Sequence, residues 1–110
     1  MSAMQDRLLG MLEQGHDNLL LRFGLGKAFT EDNQPEEAII HLQKAVAFDE
    51  THASSWFWLG RAHMDAGQLE QARTAFAKAH QFAAEKGEQQ ITKMVEVFSR
   101  RLERQAEADE

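Results

Sequence analysis

The chain has 110 residues, the length of one domain, and 43% of them are hydrophobic, so a packed core is the expectation rather than disorder. Its formal net charge of -6 argues against a general nucleic-acid binder, which carries an excess of Lys and Arg. The absence of cysteine excludes disulfides, thiolate metal sites and cysteine nucleophiles.

Alanine, leucine, glutamate, glutamine and lysine are abundant, β-branched residues are few, and Pro35 is the single proline, a mixture that favours helix throughout. The opening stretch "MSAMQDRLLGMLEQGHDN" carries Asp6, Arg7 and Glu13 and lacks the apolar run of a signal peptide. No segment approaches the ~20 apolar residues of a membrane span, and a cytoplasmic protein is the expectation. Residues 3–15 form the first predicted helix, amphipathic through Met4, Leu8, Met11 and Leu12. Asp17 and Asn18 then open the next helix, whose stripe is Leu21, Leu25, Ala28 and Phe29. "EDNQPEEA" breaks the chain at Asn33. Pro35 suits a first helical position, and Glu36 and Glu37 suit a first turn, where the helix dipole favours negative charge. Ala38, Leu42, Ala45 and Phe48 follow as the third stripe. The fourth uses Trp56, Leu59, Ala62 and His63; Gly67 makes a turn, and Ala72, Phe76, Ala79 and Phe82 form the fifth. Gly87 ends that helix, and a last one, over 88–107, carries Ile91, Met94, Val95, Phe98 and Leu102, with Arg100, Arg101, Glu103 and Arg104 outward. The final "AEADE" is expected to fray.

These stripes repeat. Shifted by 34 residues, the segment 19–52 lies over 53–86 without a gap. Phe23 meets Phe57, Leu25-Gly26 meets Leu59-Gly60, Ala28 meets Ala62, Asn33 meets Gly67, Ala38 meets Ala72, Lys44-Ala45 meets Lys78-Ala79 and Phe48 meets Phe82. Gly26 and Gly60 each cost a helix about 1 kcal/mol against alanine. Their recurrence at one phase predicts a close helix approach there, with Ala38 and Ala72 as the small surface opposite. In the same register Leu8 falls over Leu42 and Met11 over Ala45, so residues 3–15 stand in for the second helix of a preceding unit.

The run "WFWLGRAHMDAGQLEQARTAFAKA" resembles the tetratricopeptide repeat: a large aromatic, Leu-Gly, a turn glycine, an alanine, an aromatic and a further alanine. The resemblance covers residues 19–86. It is weaker in the first unit, where Arg22 stands in the place of Trp56, and Glu50 and Ala84 stand where the family often has proline. It implies an all-α, right-handed superhelix filling residues 1–110, with one repeat at 19–52, another at 53–86, and capping helices at 3–15 and 88–107. It also implies a module that binds a peptide or partner helix in its concave groove, an adaptor or co-chaperone-like role, rather than an enzyme.

In this family the first helix of each unit lines the concave face, so the resemblance places Phe23, Lys27, Thr30 and Glu31, then Phe57, Trp58, Arg61, Met64 and Asp65, on that face. On the last helix it points to Thr92, Lys93, Glu96 and Arg100. Three consecutive rings cannot share one helix face. The expectation is that Trp56 packs inside while Phe57 and Trp58 face the groove beside Phe23, with Lys27, Arg61 and Lys93 as a basic rim for an acidic peptide. The family's carboxylate clamp of lysines, asparagines and an arginine is not matched, since Asn18 and Asn33 lie at turns. None of His16, His41, His52, His63 and His80 pair at i, i+4, so no metal site or cofactor is expected, and His63 reads as a packed ring with one hydrogen bond. A monomer is favoured over a homodimer. The alternative reading is structural: self-association through the N-terminal helix by way of Leu9 and Leu12.

Overall fold

The computed structural model describes residues 2–109, and its elements are six helices and no strand among them. They are α1 (Ala3–Glu13), α2 (Leu19–Glu31), α3 (Pro35–Phe48), α4 (Ala53–Asp65), α5 (Leu69–Lys86) and α6 (Gln89–Ala108). The 34-residue period is kept to the residue at the helix starts: α2 and α4 begin at 19 and 53, α3 and α5 at 35 and 69. The turns repeat as well. Asn33 and Gly67 hold the same left-handed conformation, with φ of 58° and 76°, which asparagine and glycine tolerate best.

Local chemistry sets the ends. Ser2 and Gln5 form a reciprocal capping box at the start of α1, and the Asn18 side chain accepts a hydrogen bond from the Leu21 N–H at 2.9 Å at the start of α2. α1 is shorter than the expected 3–15, ending at Glu13 before Gly15 turns with φ 90°. Of the tail "AEADE", residues 106–108 lie in α6, which ends at Ala108, and Glu110 lies outside the described residues. Asp49 stops α3: its carboxylate accepts from the Thr51 N–H at 2.9 Å and from the Thr51 hydroxyl at 2.8 Å. Position 83 in the second unit is alanine, so α5 runs on to Lys86 and ends at Gly87 with φ 71°. α6 therefore starts at 89, two residues later than the repeat would place it.

Short turns lay α3 back against α2 and α5 back against α4, and the pairs stack one on the next as an all-α helical repeat. α4 is central, touching α2, α3, α5 and α6, whereas α1 touches α2 alone. One core gathers Leu21, Leu25, Phe29, Leu42 and Leu59; the next gathers Phe57, Phe76, Ile91, Val95 and Leu102. The two repeated glycines have a sharper role than a close helix approach. A Cβ on Gly60 would stand 2.5 Å from the Phe76 ring, and one on Gly26 would collide with Leu42. Leu42 and Phe76 are themselves 34 residues apart and buried. Each glycine is thus a socket for a large side chain one turn beyond Ala38 or Ala72.

Where Arg22 replaces the repeat's tryptophan, a polar cluster forms. Its guanidinium donates to both carboxylate oxygens of Asp17 at 2.7 and 3.0 Å and to Nδ1 of His41 at 2.9 Å, while His41 stacks on Phe29. Arginine is always a donor, so Nδ1 of His41 is the acceptor and its proton sits on Nε2. Burial, and after it Arg22, holds His41 below its ordinary pKa, with Glu37 and Asp17 pulling the other way. Burial also depresses His52, whose Nδ1 meets the Ser55 hydroxyl at 2.6 Å. The unfolded chain therefore binds more protons than the folded one just below the ordinary histidine value of 6.5. Stability is full above that pH and is lost as pH falls through it toward the folded values. Thermal melts from neutral to mildly acid pH should show the midpoint falling, and His41→Asn should flatten the slope. A midpoint independent of pH there would contradict this account.

Candidate binding surface

α2, α4 and α6 lie side by side on one side of the stack, α4 touching both of the others. Trp58 is half-buried there, and two cations lean on its ring: the Lys27 ammonium at 5.5 Å and the Arg61 guanidinium at 4.7 Å from the ring centre. Arg61 also stands 4.6 Å from the centre of Phe98, and Arg101 stands 4.7 Å from that same ring. The result is an alternating row, Lys27–Trp58–Arg61–Phe98–Arg101, crossing three helices. Cation–ring contacts of this kind contribute about 0.5–1 kcal/mol each when exposed. Among the described residues none of the three cations forms an ion pair; the arginines that do are Arg22 and Arg73. Arg61 lies near Asp65, whose carboxyl is pushed above its ordinary value by burial and drawn back by Arg61.

The expected site is thus brought together in part. Lys27, Trp58 and Arg61 meet. Phe57 does not face the groove: it is 1% exposed, edge-on to Phe98 with ring centres 5.4 Å apart, and tilted against Phe76 at 6.0 Å. The reason is α6, which closes over the very side of α4 that an end unit would leave open. Phe23 is half-buried and edge-on to His52 of the following turn at 5.2 Å, a contact between units. Met64 is half-buried against the second core. Lys93 is exposed and makes none of these ring contacts.

Phe98 and Arg101 were expected in the core stripe and on the solvent side of α6. They are three residues apart and so share a face, a signal present in the sequence. What hid it was the two-residue slip of α6. Trp56 is not wholly inside either. Its Nε1 donates to the Glu50 carbonyl at 2.7 Å, the Lys78 ammonium lies 5.4 Å from its ring centre, and it lines two adjoining clefts of about 280 and 300 Å³ on the side of α3 and α5. His63 is buried, and its Nδ1 is 2.7 Å from the Gln68 side-chain oxygen, the single hydrogen bond expected of it.

Paired helices at a fixed period and socket glycines define an α-helical repeat protein. The chain belongs to the tetratricopeptide-repeat family, whose profile matches residues 29–88. It is 42% identical, over 92% of its length and 96% of the other's, to the TPR repeat-containing protein PA0015 of Pseudomonas aeruginosa. It is similar as well to the solution structure of protein BPP2914 from Bordetella parapertussis, with a TM-score of 0.81 and 43% identity over 96% of this chain and 91% of that one. Repeats of this family generally mediate protein–protein interaction and are typically not enzymes. Among the described residues no helix is long and apolar enough to cross a membrane.

Proposed function

We propose that the protein is an adaptor that holds a peptide or partner segment against the concave face of α2, α4 and α6. Trp58 is the apolar anchor, and Lys27 and Arg61 receive an acidic group. The observation that carries this reading is the pair of unpaired cations leaning on a half-exposed tryptophan in a chain whose net charge is -6. A ring left partly in water contributes less to folding than a buried one, whereas tryptophan and arginine dominate binding hot spots.

The test is affinity capture from a native cell extract, followed by titration of the captured partner with variants at two salt concentrations. Trp58→Ala should weaken binding by roughly 2 kcal/mol or more, with little dependence on salt. Arg61→Ala should weaken it most at low salt, where charge attraction is least screened. If both variants bind like the parent protein, the concave face is not the site.

This reading takes the chain as a monomer. Leu9 and Leu12, expected to be left exposed, are instead half-buried against the first core, but Met4 and Met11, 59% and 39% exposed on α1, favour a second reading, self-association through that helix. Light scattering over a range of concentrations separates the two, since only the second gives a mass that rises with concentration.

A further inference from the structure

We propose that the part of the row beyond Arg61, reaching Phe98 and Arg101 on α6, selects a peptide segment that presents two side-chain carboxylates on one face, one for each guanidinium. The inference rests on the concave-face reading above and names its partner.

The geometry begins with Phe98. Arg61 and Arg101 both stand against this one ring, and by their distances to its centre the two guanidinium carbons are no more than about 9 Å apart. Residues on one face of an extended strand recur at roughly 6.6 Å, within that interval, while immediate neighbours point to opposite faces. Acidic side chains at alternate positions of an extended segment therefore fall within the span that the two ring contacts allow. A guanidinium stacked on a ring keeps its in-plane N–H edge free for a carboxylate, and the ring restrains it, so less rotamer freedom is lost on binding. Arg61, half-buried between Trp58 and Phe98, is the more restrained of the two. Two like charges beside one ring also repel each other, and a pair of anions removes that repulsion. Nearby acidic groups do not pair with them: Asp65 lies near Arg61 without forming an ion pair, Glu103 is engaged by Arg73 at 2.7 Å, and Glu96 lies 3.8 Å from His80.

The family's clamp for a chain-terminal carboxylate needs asparagines that this row lacks, so the expected ligand here is a pair of internal side-chain carboxylates. The probes are short labelled peptides with leucine anchors around a Glu-Ala-Glu core, the same peptides with Gln-Ala-Gln, and an oligothymidylate. They are titrated against the full chain and its Arg61→Gln, Arg101→Gln, Arg100→Gln and Trp58→Ala variants, each checked for unchanged helix content. The acidic peptide should bind, lose affinity as salt rises, and bind roughly tenfold more weakly to Arg61→Gln and to Arg101→Gln. Arg100→Gln, exposed and outside the row, should bind like the parent protein.

Equal binding of the amide and acidic peptides, or equal behaviour of Arg101→Gln and Arg100→Gln, overturns the proposal. If Trp58→Ala still weakens both peptides in that case, the concave-face reading survives. If Trp58→Ala changes nothing, both readings fall. No detectable binding of the acidic peptide, or tighter binding of the oligothymidylate, overturns the paired-carboxylate partner outright.

Discussion

Phe57→Ala is expected to lower the stability of the protein by about 3–5 kcal/mol, the usual range for removing a fully buried ring. Phe57 fills the space between α4, α5 and α6: it is 1% exposed and within 6.0 Å, centre to centre, of Phe76, Phe98 and Trp58. Alanine leaves a cavity that those three rings cannot close without leaving their own rotamers. A loss of that size is a large share of the 5–15 kcal/mol that typically separates folded from unfolded domains. Denaturant unfolding is the measurement. An unchanged midpoint would mean that Phe57 is a surface residue after all. Trp58→Ala makes the internal comparison, since its half-exposed ring should cost folding much less while costing binding more.

Gly60→Leu should be comparably damaging for the opposite reason. The Phe76 ring occupies the place of the Cβ, with ring carbons 2.5 Å from where that atom would stand, and Phe76 is itself 2% exposed. Overpacking usually costs about 1–3 kcal/mol and occasionally more, and leucine here should lie at or beyond the upper end. Gly60→Ala adds a single atom and gains about 1 kcal/mol of helix propensity, so its net loss should be smaller. The socket interpretation makes a further demand. Combining Gly60→Ala with Phe76→Leu should cost less than the sum of the two single losses, because the smaller side chain vacates the contested space. Strict additivity in a double-mutant cycle would show that the glycine and the ring do not share one volume.

The sequence alone carried the repeat and most of the helix ends, because both depend on local chemistry. The 34-residue overlay, the turn residues Asn33 and Gly67, the cap at Asn18 and the proline at the start of α3 act within a few residues of themselves. Helical periodicity then assigned core faces, and Leu25, Leu42, Ala45, Ala62, Ala72, Phe76 and Ala79 are buried as their spacing requires. Lys27, Trp58 and Arg61 were also legible as neighbours on the inner side, since two of them share a helix turn and the third repeats the phase of Arg61 one unit earlier.

Tertiary structure decided the rest. Three rings in a row, Trp56, Phe57 and Trp58, point in three directions, and which direction is core depends on what covers it. α6 covers Phe57, α3 and α5 leave Trp56 at the lip of a cleft, and Trp58 remains on the side shared by α2, α4 and α6. The place of α6 was itself beyond the repeat's reach. Alanine at position 83, where the first unit has Asp49, lets α5 run past the point at which α3 stopped, and α6 starts two residues late. A helix advances about 100° per residue, so a slip of two turns a different set of side chains inward. In the packed structure Phe98, with Arg101 on its ring, and not Lys93, lies beside Arg61. A periodic pattern fixes which residues share a face of one helix; only the packing of helices against one another fixes which way that face looks.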